Sequence, residues 1–213
     1  MDHIFKIFSG KDRVKLYKFF LNNRDESFVF DEIVDKLQIR RPAARKELKF
    51  LEAVTFLKKG KTSKIINIHS RAGVAKQKKV SGTAWQLNKG FEFIRPFSQI
   101  FIEGDIQDTR EILSIFRGMG TMKLMLATGF FAHDDEARAD LLIVGNKLKK
   151  TQIENAIHKY ESEIGCELRY IIFEEEEFLY RLQMYDRLIR DVLGGPHRII
   201  LNKLRADIGV EKP

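Results

Sequence analysis

The 213-residue sequence holds a single cysteine, Cys166. An intramolecular disulfide is excluded, and a reducing compartment such as the cytoplasm is the expected setting. With no base near it in sequence, Cys166 suits a structural role better than catalysis. Long apolar runs are missing too. No stretch reaches the ~18–20 residues of a membrane span, and the longest, within Ala139–Gly145, suits a buried strand. The opening MDHIFKIFSGKDR lacks an apolar core of signal-peptide length. The five histidines, His3, His69, His133, His158 and His197, are scattered without metal-ligand spacing. Gly194-Gly195-Pro196 reads as a turn before a strand, not a phosphate loop. The expectation is a chain with no membrane segment, no bound metal and no cofactor.

Acidic residues are scarce in one part of the chain only. Residues 1–90 hold 21 Lys+Arg against 9 Asp+Glu, a net of +12, whereas residues 91–213 hold 17 against 21, a net of −4. The 44% hydrophobic fraction is ample for a core. A basic first part beside a mildly acidic second part implies division of labour, with the first part built to meet a polyanion.

In the first part, Lys11–Asn23 carries Val14, Leu16, Phe19 and Phe20 at near-helical spacing and predicts an amphipathic helix that ends at Asn22–Asp25. A second helix is predicted over Phe30–Leu37, with Ile33, Val34 and Leu37 on one face. After a turn at Gln38–Arg41, Pro42 opens a third, PAARKELKFLEAV, because proline is tolerated in a first helical turn. That helix buries Ala44, Leu48 and Leu51 and exposes Arg45, Lys46 and Lys49. Short strands are expected at Phe56–Gly60, Lys64–Ile68 and Thr83–Asn88, with a basic loop over 70–82. Trp85 lies between Ala84 and Leu87 and is expected in the core.

The stretch FDEIVDKLQIRRPAARKELKFLEAVTFLKKGK and the closing TAWQLN resemble the winged helix-turn-helix domains of prokaryotic regulators, over Lys11–Asn88. That resemblance implies duplex DNA as partner. The start of the third helix would meet DNA through Arg40, Arg41, Arg45, Lys46 and Lys49, and a wing through Arg71, Lys76, Lys78 and Lys79.

Residues 91–107 form an aromatic-rich connector, GFEFIRPFSQIFI at its core, helical after Pro96. Its phenylalanines suit either packing between domains or a dimerisation helix. Residues 108–213 alternate: helix Asp108–Arg117, strands Lys123–Thr128 and Asp140–Val144, helix Lys150–Ile164, strand Glu167–Phe173, one helix over most of Glu175–Leu193, and a last strand His197–Leu201. The expected fold class is α+β, an N-terminal winged helix-turn-helix domain (1–90) followed by a small α/β domain (108–213) with a mixed sheet.

The second domain, over Thr109–Leu204, is similar to small nucleotidyltransferase domains of the DNA polymerase β-like superfamily. Active members place a Gly-Ser after the first strand and an Asp-x-Asp before the apolar run of the second, so that carboxylates hold two magnesium ions on a triphosphate. Here Gly129 matches the motif glycine, Phe130 replaces the serine, Arg138 replaces the first aspartate and Asp140 matches the second. Glu167 stands where a third carboxylate would lie, and Asp134 and Asp135 are alternative ligands in the loop. An arginine in a metal-ligand position opposes cation binding, so Gly129, Phe130, Arg138, Asp140 and Glu167 are expected to form a vestigial nucleotide cleft without catalytic residues. The acidic run Glu174–Glu177 is expected to serve a helix dipole.

The expected function is transcription regulation by DNA binding, as a homodimer, with a second domain that senses a small-molecule or nucleotide effector or mediates oligomerisation. The alternatives are an active nucleotidyltransferase and an RNA-binding or toxin–antitoxin module.

Overall fold

A computed structural model describes residues 2–69, 75–103 and 109–204. The chain is a mixed α+β protein of two compact units, Met1–Asp105 with Tyr160–Cys166, and Ile106–Lys159 with Glu167–Pro213. No helix among the described residues is long and apolar enough to cross a membrane.

The first unit runs α1 (Asp2–Ile7), α2 (Lys11–Asn22), β1 (Ser27–Val29), α3 (Phe30–Leu37), α4 (Arg41–Ala53), β2 (Leu57–His69), β3 (Ala75–Leu87) and α5 (Ile94–Ser98), which continues into a π-turn over Gln99–Glu103. The strands form an antiparallel sheet in the order β1-β3-β2. Helix α2 is buried nearly all round, with Val14, Leu16, Phe20 and Leu21 at most 1% exposed. The Glu32 carboxylate accepts the Val29 backbone N–H at 2.8 Å, which closes the start of α3. Gln38, at φ +50°, turns the chain out of α3 into α4. Ala44, Leu48 and Leu51 recur at helical spacing and seat α4 on the core. Tyr160–Cys166 belongs to this unit. There the side chains of Asn22 and Asn23 donate to the carbonyls of Ile164 (2.9 Å) and Gly165 (3.0 Å), groups that a helix end leaves unpaired.

The first unit differs from the sequence expectation in its hairpin, its connector and two short elements. The strands expected at 56–60 and 64–68 are one strand, and most of the expected basic loop, from Ala75 to Gly82, is β3. The hairpin is thirteen residues on each side, paired from Leu57↔Leu87 to His69↔Ala75. Gly60 and Gly82 lie in the ladder opposite Ala84 and Thr62. Nothing lies within 4 Å of a Cβ built on either, so neither marks a turn or a close approach. The connector phenylalanines pack inside the first unit: Phe97 and Phe101 meet Phe8 and Tyr17, and Tyr17 stacks on Phe101 at 5.1 Å. Only Phe93 among them is largely exposed. Strand β1 and helix α1 carried too few residues to read.

The second unit contains α6 (Thr109–Ile115), β4 (Thr121–Ala127), a 3₁₀ turn (Gly129–Ala132), β5 (Leu141–Asn146), most of α7 (Lys150–Ile164), β6 (Tyr170–Glu174), α8 (Glu175–Gln183), α9 (Arg187–Gly194) and β7 (Arg198–Asn202). Its sheet has the order β6-β5-β4-β7, with β5 and β6 parallel and the other neighbours antiparallel. Strand β5 is central, and its LLIVG is buried throughout, which explains a continuous apolar run instead of alternation. The Glu174 carboxylate accepts the backbone N–H groups of Lys147 (3.1 Å) and Leu148 (3.2 Å), while Glu175–Glu177 occupy the first turn of α8.

The single helix expected over 175–193 is two. Tyr185 takes φ +53° and Asp186 restarts the helix as N-cap, accepting the N–H groups of Leu188 (2.8 Å) and Ile189 (3.3 Å). The Ile189 N–H, with Leu188 and Arg181, holds the Asp186 carboxyl below its ordinary range. A depressed carboxyl stabilises the fold above its unfolded pKa, and that contribution is lost as pH falls through the folded one. Asp186→Ala is therefore expected to lower the urea midpoint at neutral pH, with the difference from wild type shrinking as pH falls through the carboxylate range. A difference that persists unchanged in acid would contradict this.

Candidate nucleic-acid interface and the cleft around Asp140

Helix α4 presents its start to solvent. Arg40 is the N-cap, and Arg40, Arg41, Arg45, Lys46 and Lys49 are all exposed. The first turn holds no acidic residue. Arg40 and Arg41, at the helix start, oppose the helix dipole by roughly 0.3–1 kcal/mol each, so helix stability does not account for them. The inner acid of the helix, Glu47, is buried and bound to Arg13 at 2.6 Å. Arg41 pairs with Asp31 at 2.8 Å. Arg40, Arg45, Lys46 and Lys49 have no carboxylate partner among the described residues.

Two aromatic rings underlie this surface. The guanidinium carbons of Arg41 and Arg45 lie 4.9 and 5.1 Å from the centre of the Phe30 ring. Phe30 in turn lies 6.4 Å from Trp85. Trp85 is half-buried against the core, as expected, with its indole N–H donated to Glu52 and Lys59 Nζ 5.5 Å above its ring.

Of the expected wing residues, Lys79 is exposed on β3, opposite Ile65. Lys76 and Lys78 occupy β3 opposite Ile68 and Ile66, their side chains outside what is described, and Arg71 lies outside the described residues. The sequence reading missed Lys59 and Lys61, both exposed on β2. It also missed Phe30 and Asp31 as partners of the arginines. The four-residue spacing of Arg41 and Arg45, which puts them on one helix face, was the available signal.

The second unit brings Gly129, Phe130 and Asp140 together. Gly129 has φ +48°, and a Cβ built on it would lie 2.1 Å from Asp140 Oδ1, so glycine is required there on two counts. Asp140 is buried. Its Oδ1 accepts the Phe130 N–H (2.7 Å) and Arg169 Nη2 (2.9 Å), and its Oδ2 accepts the Arg169 backbone N–H (2.7 Å) and Nε (3.1 Å). Arg169 is missing from the expected set, since no motif spacing links positions 140 and 169. Arg138 is exposed and pairs with Asp191 at 3.4 Å. Glu167 is exposed in the loop before β6, not on a strand. Phe131 is fully buried beside Phe130. Asp134 turns back to accept the Glu136 N–H at 3.1 Å, and Asp135 is exposed.

This donor set does not fit a divalent cation. A metal needs carboxylate lone pairs that face a cavity, and those of Asp140 are filled by four N–H donors, two of them from the Arg169 guanidinium. Among the described residues no group of three or more His, Cys, Asp or Glu is placed to hold a metal ion. No family model, curated protein or solved structure matches the chain.

Proposed function

We propose that the protein is a DNA-binding transcriptional regulator. Its first unit acts as a winged helix-turn-helix domain, with α4 as recognition helix and the β2–β3 hairpin as wing. The observation that carries this reading is the basic face of α4: Arg40, Arg45, Lys46 and Lys49 are exposed without a carboxylate partner among the described residues, and Arg40 and Arg41 stand at the helix start, where the dipole disfavours cations. A helix-turn-helix followed by a basic two-stranded hairpin supports it, since the second helix of such a pair enters the major groove by its N-terminal residues. The protein acts as a homodimer that places two α4 helices about 34 Å apart on successive turns of duplex DNA. The second unit is a nucleotidyltransferase-like domain without transferase activity, a reading supported by the occupied lone pairs of Asp140. It serves as an effector-sensing or oligomerisation domain in the reducing cytoplasm.

The test is fluorescence anisotropy of the full chain with a labelled duplex across a potassium chloride series. Counterion release gives a slope of about −0.9 per phosphate neutralised. The cations of α4 and the hairpin are expected to give roughly −4 or steeper in log K against log salt. A slope near zero, or a preference for single-stranded RNA over duplex DNA, overturns the proposal.

A further inference from the structure

The arginines of α4 differ in how they are held. Arg40 projects from the N-cap without an ion-pair partner among the described residues, but Arg41 and Arg45 share the Phe30 ring. They sit on consecutive turns of α4, and Phe30 is the first residue of α3, so one ring ties both guanidinium groups across the turn between the helices. The Asp31 carboxylate fixes Arg41 from the side at 2.8 Å. The ring itself is placed by Trp85, whose indole N–H is engaged by Glu52.

We infer that Phe30 is a specificity-determining platform that sets Arg41 and Arg45 for guanine-containing sites, while Asp31 restrains Arg41 from indiscriminate phosphate contact; this rests on α4 being the DNA-facing helix. A phosphate accepts any nearby cation, whereas guanine O6 and N7 need a planar fork in one orientation. A guanidinium seated on an aromatic face has already lost most of its alternative rotamers, so less ordering remains to be done on binding. A carboxylate beside Arg41 repels the phosphate backbone, which weakens non-specific binding more than base reading. Together these features raise the ratio of specific to non-specific affinity, not affinity alone.

The experiment selects sites from a randomised duplex library with the full-length protein. It then compares the selected duplex with a scrambled one for wild type, Phe30→Leu, Phe30→Tyr and Asp31→Asn. Phe30→Leu keeps an apolar side chain and removes the ring. It is expected to reduce discrimination about tenfold with non-specific affinity within about twofold of wild type. Phe30→Tyr restores discrimination, and Asp31→Asn raises non-specific affinity. Side-chain proton spectra supply a second readout: Arg41 and Arg45 resonances are displaced upfield by the ring in wild type and return in Phe30→Leu. Absence of that displacement in wild type overturns the platform without reference to DNA. Undiminished discrimination in Phe30→Leu overturns it while leaving the DNA-binding reading intact. A wild-type protein that binds no duplex overturns that reading, and the platform's role in base reading with it.

Discussion

The double charge reversal Arg45→Glu/Lys46→Glu is expected to weaken duplex binding at least about a hundredfold at physiological salt while leaving the fold intact. Both side chains are exposed and neither has a carboxylate partner among the described residues, so their removal orphans no buried group. On the proposed reading each reversal would delete a phosphate or base contact and add repulsion from the phosphate backbone. Two such changes multiply because the sites act on the same rigid helix. The new glutamates lie on the exposed face of the second turn of α4, past the first turn where the helix dipole acts most strongly, so thermal stability should hold. Arg41→Glu is a less clean variant, since it sets a like charge against Asp31. A gel shift with unchanged affinity and an unchanged melting curve would remove α4 from the interface.

Asp140→Ala is expected to cost stability, not chemistry. The substitution leaves the N–H groups of Phe130 and Arg169 and the Arg169 guanidinium without their acceptor. Breaking a buried ion pair from one side costs about 3–5 kcal/mol. Arg169 is half-exposed and can turn to water, which places the expected loss at the lower end, about 3 kcal/mol by urea unfolding. Gly129→Ala should destabilise comparably, since its methyl group would displace the same carboxylate. In an active transferase the corresponding change would abolish label transfer from a nucleoside triphosphate and leave folding nearly untouched. A stable Asp140→Ala protein would show that the carboxylate is not structural.

The elements most legible in the sequence were those whose pattern is local. Helices α3 and α7 were read to the residue because their apolar spacing and flanking turns agree, and α4 begins one residue before Pro42. The cations of α4 were legible for the same reason, since exposure follows from helical phase. The hairpin was not, because a solvated two-stranded ribbon needs no apolar face to fix its period. Its lysines and glycines imitate a loop in any reading based on composition. The division between α8 and α9 rests on one left-handed residue, Tyr185, a conformation that its type does not announce. The tie of Asp140 to Arg169 joins positions 29 apart through strand pairing, which no short motif encodes. The cleft reading thus found the aspartate and missed what occupies it.

The hairpin has a consequence of another kind. Beyond the row Gly60↔Ala84, β1 no longer covers β3, and nine further rows run from Lys61↔Thr83 to His69↔Ala75, an arm of roughly 27 Å at 3.4 Å per row. Along that arm neither strand has a second neighbour among the described residues, so both margins offer unpaired backbone N–H and C=O groups to any strand that approaches. Such a margin invites fibril-like addition of one molecule to the next unless it carries like charge. Lys61 and Lys79, both exposed, supply that charge, and the same two strands also contain Lys64, Lys76 and Lys78 in sequence. The lysines proposed to draw a polyanion to the arm would therefore also keep two arms apart, and a polyanion that neutralised them without filling the margins would lower the barrier to self-association.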